Sequence, residues 1–105
     1  MPLSGHALSE ARSLLLHRSV AKRLEQDASL LALAREHLRR WQAEGTLAVS
    51  YINAWQKLLD GPLPELLRVL VDESELSRAL RQTTPFAGVL KAKERWALLK
   101  HRDVP

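Results

Sequence analysis

The side chains best suited to chemistry in this sequence are cations, and they concentrate near its carboxyl end. The chain has 16 lysines and arginines against 12 carboxylates, and from residue 78 onward its only acids are Glu94 and Asp103. Such a cluster can neutralise phosphates or pair with the carboxylates of a partner. Basic residues on a solvated helix face, or in a last turn that complements the helix dipole, are the alternative. The cluster comprises Arg78, Arg81, Lys91, Lys93, Arg95, Lys100 and Arg102.

Residue types that carry catalysis or bind metals are present but scattered. The 4 histidines include no His-x-x-x-His pair and no glutamate at the spacing of a metal site,. The glycines stand singly, so no phosphate-binding loop is indicated. The absence of cysteine excludes thiolate catalysis, a disulfide framework and cysteine-bearing zinc sites,. We therefore expect no catalytic, cofactor-binding or metal-binding residues, and a protein that is not an enzyme.

A short irregular segment, Thr84 to Gly88, interrupts otherwise continuous helical patterning. Thr84 precedes Pro85, which disfavours helical geometry, and Gly88 permits a tight bend. In one interpretation the only phenylalanine, Phe86, fills a corner between two helices while a threonine caps exposed backbone. In the other, the segment and its basic neighbours form a binding lip, because fixed Pro and Gly geometry loses little entropy on binding. The sequence leaves both open.

The three tryptophans all fall on apolar stripes, so packing in the core is the leading interpretation for each. They are Trp41, Trp55 and Trp96. We assign Trp55 to the core. Trp96 stays open, because it adjoins Arg95 and because tryptophan and arginine dominate the hot spots of protein interfaces.

Length and composition fit one globular domain. Apolar residues make up 46% of the chain and charged residues 27%, which is ordinary for a folded protein. We assign residues 1–105 to a single domain with flexible ends over 1–7 and 103–105.

No apolar run approaches the roughly 18 residues of a membrane span, and Leu14-Leu15-Leu16 is too short for a secretory signal. We expect a cytoplasmic protein with no membrane partner.

Apolar residues recur every three or four positions almost throughout, which predicts helices rather than strands. The first helix is expected to begin at Ser9 as its N-cap, or alternatively at Ser4. Asp27 is the predicted N-cap of the next element. Gly45 suits the left-handed position beyond the end of the second helix, and a third helix is predicted over 47–60.

Acidic residues mark the start of the fifth helix. Asp72-Glu73-Ser74-Glu75 places negative charge where a helix dipole favours it. The predicted buried side of this helix consists of Leu76, Ala79 and Leu80. The helix ends where the backbone meets the proline of the irregular segment, and a sixth helix over 91–101 is expected to offer Trp96 and Leu99 to the core.

Gly61-Pro62-Leu63-Pro64 separates the third helix from a short fourth helix over 65–71, which is apolar on most sides and therefore expected to be deeply covered. This irregular connection and the one at Thr84 to Gly88 favour orthogonal packing over a plain up-down bundle. The predicted fold is all-α, a compact bundle of five to six short helices, partly orthogonal. The predicted core comprises Leu15, Val20, Leu24, Leu38, Trp41, Ile52, Trp55, Leu59, Leu66, Leu70 and Leu80.

The sequence resembles a family of small bacterial all-helical proteins that are often encoded beside nucleotidyltransferase-like proteins. The resemblance rests on Ala11-Arg12-Ser13, Leu24, Leu30 with Arg39-Arg40-Trp41, Trp55 with Leu58-Leu59-Asp60-Gly61-Pro62-Leu63, Leu80-Arg81-Gln82, Pro85-Phe86-Ala87-Gly88-Val89-Leu90 and Glu94-Arg95-Trp96. Such a gene arrangement is typical of toxin–antitoxin modules. The resemblance therefore implies an antitoxin-like protein that binds and restrains a nucleotidyltransferase-like partner.

The predicted contact surface joins the irregular segment to its basic neighbours. Two alternatives remain: a nucleic-acid-binding accessory or repressor that uses the carboxyl-terminal cations, and a structural protein that forms a homodimer. The sequence provides no recognition helix with polar base-reading residues, which weakens the first alternative. The residues predicted to contact a protein partner are Arg81, Gln82, Thr83, Phe86, Lys91, Arg95 and Lys100.

Overall fold

Six α-helices and one short 3-10 turn account for most of the chain that the structure describes. The computed structural model covers residues 5–103, with the side chains of residues 8–100, and contains no strand over that range. The all-α prediction is confirmed. The helices are α1 (Gly5–Gln26), α2 (Leu31–Glu44), α3 (Val49–Asp60), α4 (Leu63–Val71), α5 (Glu75–Gln82) and α6 (Ala92–Asp103), and the 3-10 turn, Ala28–Leu30, precedes α2.

The start of α1 differs from the sequence-based expectation. α1 already begins at Gly5, so the prediction that Ser9 is its N-cap is wrong, and the alternative cap, Ser4, lies outside the described residues. The flexible ends predicted over 1–7 and 103–105 fall largely outside them as well. Where that prediction overlaps the described backbone, at residues 5–7 and 103, the chain is helical.

Three predicted helix starts and ends, at Asp27, Gly45 and Pro64, are confirmed by local geometry. The side chain of Asp27 accepts a hydrogen bond from the backbone N–H of Ser29, at 3.1 Å, as an N-cap should. Gly45 ends α2 with φ +67°, a left-handed conformation that glycine adopts without steric cost. Pro64 lies in the first turn of α4, where its missing N–H has no helical partner to lose.

α1 is the central element of the fold. It contacts α4, α5 and α6, while α2 packs on α3 and α4 also contacts α3 and α5. One cluster of buried side chains joins these contacts. Of the predicted core, Leu15 and Trp41 are only half-buried. The other nine are confirmed: Val20, Leu24, Leu38, Ile52, Trp55, Leu59, Leu66, Leu70 and Leu80. Six further buried apolar residues were not in the predicted core: Ala21, Ala34, Pro85, Phe86, Val89 and Leu90.

Two predicted core positions are exposed instead. Leu76 is 69% exposed and Trp96 is 68% exposed, while Leu99 is half-buried. In α5 the inward stripe consists of Ser77, Leu80 and Arg81, so Leu76 falls on the outer side. α4 is also less covered than expected, since Leu66 and Leu70 are its only buried residues. No helix in the described part of the chain is long and apolar enough to cross a bilayer.

Candidate functional site

The segment that joins α5 to α6, residues 83–91 (the 83–91 loop), packs most of its apolar side chains inward. Pro85 is fully buried, and Phe86 is 3% exposed. The Phe86 ring lies edge-on to Trp55, with 5.8 Å between ring centroids, an arrangement that aromatic quadrupoles favour. Gly88 has φ +91°, which lets the loop reverse direction. The corner-filling interpretation of Phe86 is confirmed, and its side chain is not part of the surface.

Threonine hydroxyls satisfy the backbone and side chains around this corner. Thr83 Oγ1 donates to the carbonyl oxygen of Leu80 at 3.0 Å and accepts from Trp55 Nε1–H at 3.1 Å. Thr84 Oγ1 accepts from the N–H of Phe86 at 3.2 Å. The loop therefore enters the core without leaving these polar groups unpaired, as buried groups require.

Two histidines tie the loop to the first two helices. His17 Nδ1 lies 2.7 Å from the carbonyl oxygen of Ser13, and because a carbonyl only accepts, Nδ1 carries the proton. In the neutral ring Nε2 is then an acceptor, and Thr84 Oγ1–H donates to it at 2.9 Å. His37 Nδ1 donates to the carbonyl oxygen of Pro85 at 2.7 Å. The loop is thus positioned from α1 and α2 together.

Burial sets the charge state of His17. The side chain is 5% exposed, and this burial lowers its pKa, which the positive charge of Arg81 lowers further while the bond to Ser13 opposes the shift. Proton uptake would place a second cation near Arg81 inside the fold. His17 is therefore neutral at physiological pH, in the tautomer that accepts from Thr84.

Lowering the pH is expected to destabilise the protein through His17. A histidine whose pKa is lowered on folding takes up a proton more readily when the chain is unfolded. The contribution of His17 to the free energy of unfolding is therefore constant above a pH of about 6.5, the pKa of an unperturbed histidine, and it falls as the pH drops towards the pKa of the folded state. Each unit by which folding lowers the pKa corresponds to about 1.4 kcal/mol of stability lost at low pH. Urea unfolding between mildly alkaline and mildly acidic pH measures the slope. His17→Gln, which cannot titrate, should flatten it, and an unchanged slope in that variant would contradict the assignment.

Arg81 lies inside the protein, contrary to its predicted place on the contact surface. Its side chain is 2% exposed, and Nη1 donates to the carbonyl oxygens of Leu70 at 3.2 Å and Asp72 at 2.6 Å. Nη2 lies 4.0 Å from Glu10 Oε2 in α1. Burial lowers the pKa of the guanidinium, and Glu10 opposes that effect. Arg81 closes the end of α4 and cannot reach a partner from this position.

Gln82 and Thr83 lie at the edge of a shallow groove beside the end of α5. The groove has a volume of about 350 Å³, and its apolar wall is formed by Trp41 and Leu47. Gln82 is exposed, and its amide donates to Glu10 Oε1 at 3.2 Å. These two predicted contact residues are thus near each other, and residues 84–91 separate them from α6 along the chain.

The other predicted contact residues lie at the start of α6 and along it. Lys91, Arg95 and Lys100 are all exposed. The carbonyl oxygen of Lys91 accepts from the N–H of Arg95 at 3.0 Å, so Lys91 directly precedes the first turn. Of the seven predicted contact residues, the structure places Arg95 and Lys100 on α6, Lys91 just before it, and Arg81 and Phe86 in the interior.

α6 has an inner and an outer face. Glu94 forms an ion pair with Arg23 of α1, and Leu98 packs against the core. Both lie two positions from Trp96, and at 3.6 residues per turn such a step points to nearly the opposite side. Lys93 and Lys100 lie three and four positions from Trp96, which puts them on its side of the helix. We call Lys93, Trp96 and Lys100 the α6 outer face.

Comparisons with known proteins assign no role to these surfaces. Within the described residues, no group of three or more histidines or carboxylates is placed to hold a metal ion. No protein-family model, no curated protein and no solved structure matches the chain. The α6 outer face is therefore the best-defined candidate surface, because it combines an exposed aromatic ring with cations that form no ion pair with the side chains described.

Proposed function

We propose that this chain is a non-catalytic protein-binding domain, antitoxin-like in its action, that restrains a nucleotidyltransferase-like partner. The contact surface is the α6 outer face together with Lys91 and Arg95. This assignment keeps three of the residues predicted from the sequence, Lys91, Arg95 and Lys100, and adds Trp96 and Lys93. The buried Arg81 and Phe86 act indirectly, by holding the helices and the loop that present this surface.

The observation that carries the proposal is the exposure of Trp96. A tryptophan that is 68% exposed in the middle of a helix leaves a large apolar ring in water, which burial against a partner would relieve. Tryptophan is also enriched among the residues that contribute most to binding. The nearest carboxylate on α6, Glu94, is already paired with Arg23, so it does not offset the cations around the ring.

The charge of this surface indicates the kind of partner surface it fits. Lys91, Lys93, Arg95 and Lys100 are exposed and form no ion pair with a residue whose side chain the structure describes. Metal-dependent phosphoryl-transfer sites are lined with carboxylates. A basic helix with a central aromatic ring is complementary to such a cleft, and complementary charge speeds association and excludes wrong partners.

Co-expression with the product of the neighbouring gene tests this assignment. We expect a complex that survives co-purification at micromolar concentration, and protection of cells that express the neighbour. Trp96→Ala should weaken binding at least tenfold, since hot-spot truncations cost about 2 kcal/mol or more. Leu76→Ala removes a side chain that is 69% exposed on α5 and should leave binding unchanged. Absence of a complex, or equal losses in the two variants, would contradict the proposal.

A nucleic-acid-binding role is the second candidate, and the same helix supports it. Trp96 between Lys93 and Lys100 offers a ring for base stacking with cations on either side for phosphates. Affinity of this kind falls steeply between about 50 and 200 mM salt. Fluorescence anisotropy with labelled duplex and single-stranded DNA distinguishes the two roles, because failure to bind at the lower salt concentration removes this candidate without affecting the first.

A further inference from the structure

A second hollow, lined by α1 and the 83–91 loop, has the features of a small-ligand site. Its volume is about 130 Å³. The walls are apolar, with Leu16 and Val20 from α1 and Phe86 and Leu90 from the loop. Ala87 and Gly88 also line it, and both are exposed, so the hollow opens to solvent. We call this hollow the His17 cleft, after the histidine at its polar side.

The polar groups of the His17 cleft are committed to each other. His17 Nδ1–H donates to the carbonyl oxygen of Ser13, and Nε2 accepts from Thr84 Oγ1–H. Thr84 Oγ1 in turn accepts from the N–H of Phe86. Since His17 is neutral and both of its nitrogens are used, neither it nor Thr84 has a free N–H or O–H for a ligand.

Arg95 supplies the one charged donor in the lining. It lies on the first turns of α6, it is exposed, and it borders the His17 cleft. Its guanidinium forms no ion pair with any side chain in the described range. A ligand here therefore meets apolar walls inside and a planar cation at the edge.

Size and charge together select the ligand. An apolar cavity of about 150 Å³ accommodates benzene, so the His17 cleft has room for an aliphatic tail of roughly four to six carbons, whereas pockets for drug-sized ligands span about 300–1,000 Å³. A guanidinium matches a carboxylate in bidentate geometry. We propose that the His17 cleft binds a short aliphatic carboxylate, with its tail between Leu16 and Phe86 and its head on Arg95. The proposal is independent of any protein partner.

Hexanoate is a suitable probe, and two-dimensional NMR of the isolated chain detects weak binding. We expect saturable shifts, with a millimolar dissociation constant, confined to amides of α1 and the 83–91 loop around the cleft. Arg95→Gln should weaken binding about fivefold, the effect of removing one exposed ion pair. Ala87→Leu places a bulky group at an exposed lining position and should abolish binding while leaving thermal unfolding unchanged. Arg78→Gln, on α5 and outside the lining, serves as the matched control.

Four further outcomes would overturn the assignment. Hexanol that binds as tightly as hexanoate would show an apolar cavity without anion recognition. Inorganic phosphate that shifts the same amides and responds equally to Arg95→Gln would show a surface anion site with no use for the apolar walls. Hexanoate binding that survives Ala87→Leu would show that the ligand binds outside the cleft. The absence of any shift up to the solubility limit of hexanoate would show that the cleft does not bind it.

Discussion

Replacing Trp55 by alanine is expected to lower the free energy of unfolding by about 3–5 kcal/mol, the range for deleting a large buried aromatic side chain. Trp55 is 0% exposed. It contacts Phe86 edge-on and donates Nε1–H to Thr83, so the substitution opens a cavity and removes the support of the 83–91 loop as well. Because domains of this size have a total stability of about 5–15 kcal/mol, the variant would approach unfolding at room temperature.

Chemical denaturation followed by circular dichroism measures this effect, and the chain provides its own control. Trp96→Ala is the same substitution at a position that is 68% exposed, so its effect on stability should stay within about 0.5 kcal/mol. Trp55→Phe keeps most of the volume but loses the bond to Thr83, and should cost about 1–2 kcal/mol. Equal losses in Trp55→Ala and Trp96→Ala would contradict the assigned burial.

Helix positions in this protein follow from short-range chemistry, which the sequence displays directly. Asp27, Gly45 and Pro64 each occupy the position that their side chains or backbone favour, and no long-range information is needed to place them. The apolar stripe that begins at Val20 and Leu24 is equally local. The prediction that Ser9 is the N-cap of α1 was wrong because serine is tolerated in a helix interior as well as favoured at a cap.

The exposure of Trp96 could not be predicted from α6 alone. Trp96, Ala97, Leu98 and Leu99 are consecutive, so apolar side chains lie on nearly every side of the helix and the stripe assigned to Trp96 does not identify the inward face. The inward side carries Leu98, which packs against the core, and Glu94, which forms an ion pair with Arg23 of α1. That contact joins residues 71 positions apart in the sequence, which no periodicity reports.

His17 shows the opposite case, in which a usable signal was present. It lies three positions before Val20 and seven before Leu24, both of which are buried, so it shares their face of α1. A histidine on a core stripe must find hydrogen-bond partners inside. Its partner Thr84, however, lies 67 positions away. The burial of His17 could therefore be predicted, but its role in tying down the loop could not.

The two proposed sites share one support. The 83–91 loop lines the His17 cleft and leads directly into α6, which carries the outer face, and the loop is fixed by Trp55, His17 and His37. A rigid loop and an anchored helix lose little conformational freedom on binding, which favours affinity. Substitutions of these three supporting residues would consequently alter binding through stability, so binding variants are best chosen among exposed positions such as Trp96 and Ala87.

Replacing Arg81 by alanine is the second large effect that we expect, at about 2–4 kcal/mol of lost stability. Its guanidinium donates to the carbonyl oxygens of Leu70 and Asp72, and Leu70 is fully buried. The substitution would leave both oxygens without these donors. It would also leave the half-buried Glu10 carboxylate, 4.0 Å from Nη2, without its nearby cation. The loss arises mainly from groups left behind, because an unmade buried hydrogen bond costs more than a made one contributes.

Urea unfolding of Arg81→Ala beside Arg78→Ala separates the buried arginine from an exposed one on the same helix. Arg78 is exposed, so its removal should change stability by no more than about 0.5 kcal/mol. Adding Glu10→Gln to Arg81→Ala removes the stranded charge and should recover part of the loss, giving a coupling between the two sites of about 0.5–3 kcal/mol. Additive effects would show that Glu10 does not depend on Arg81. If Arg81→Ala lowered the free energy of unfolding as little as Arg78→Ala, Arg81 would be exposed, as the sequence alone had predicted, and the assigned burial would be wrong.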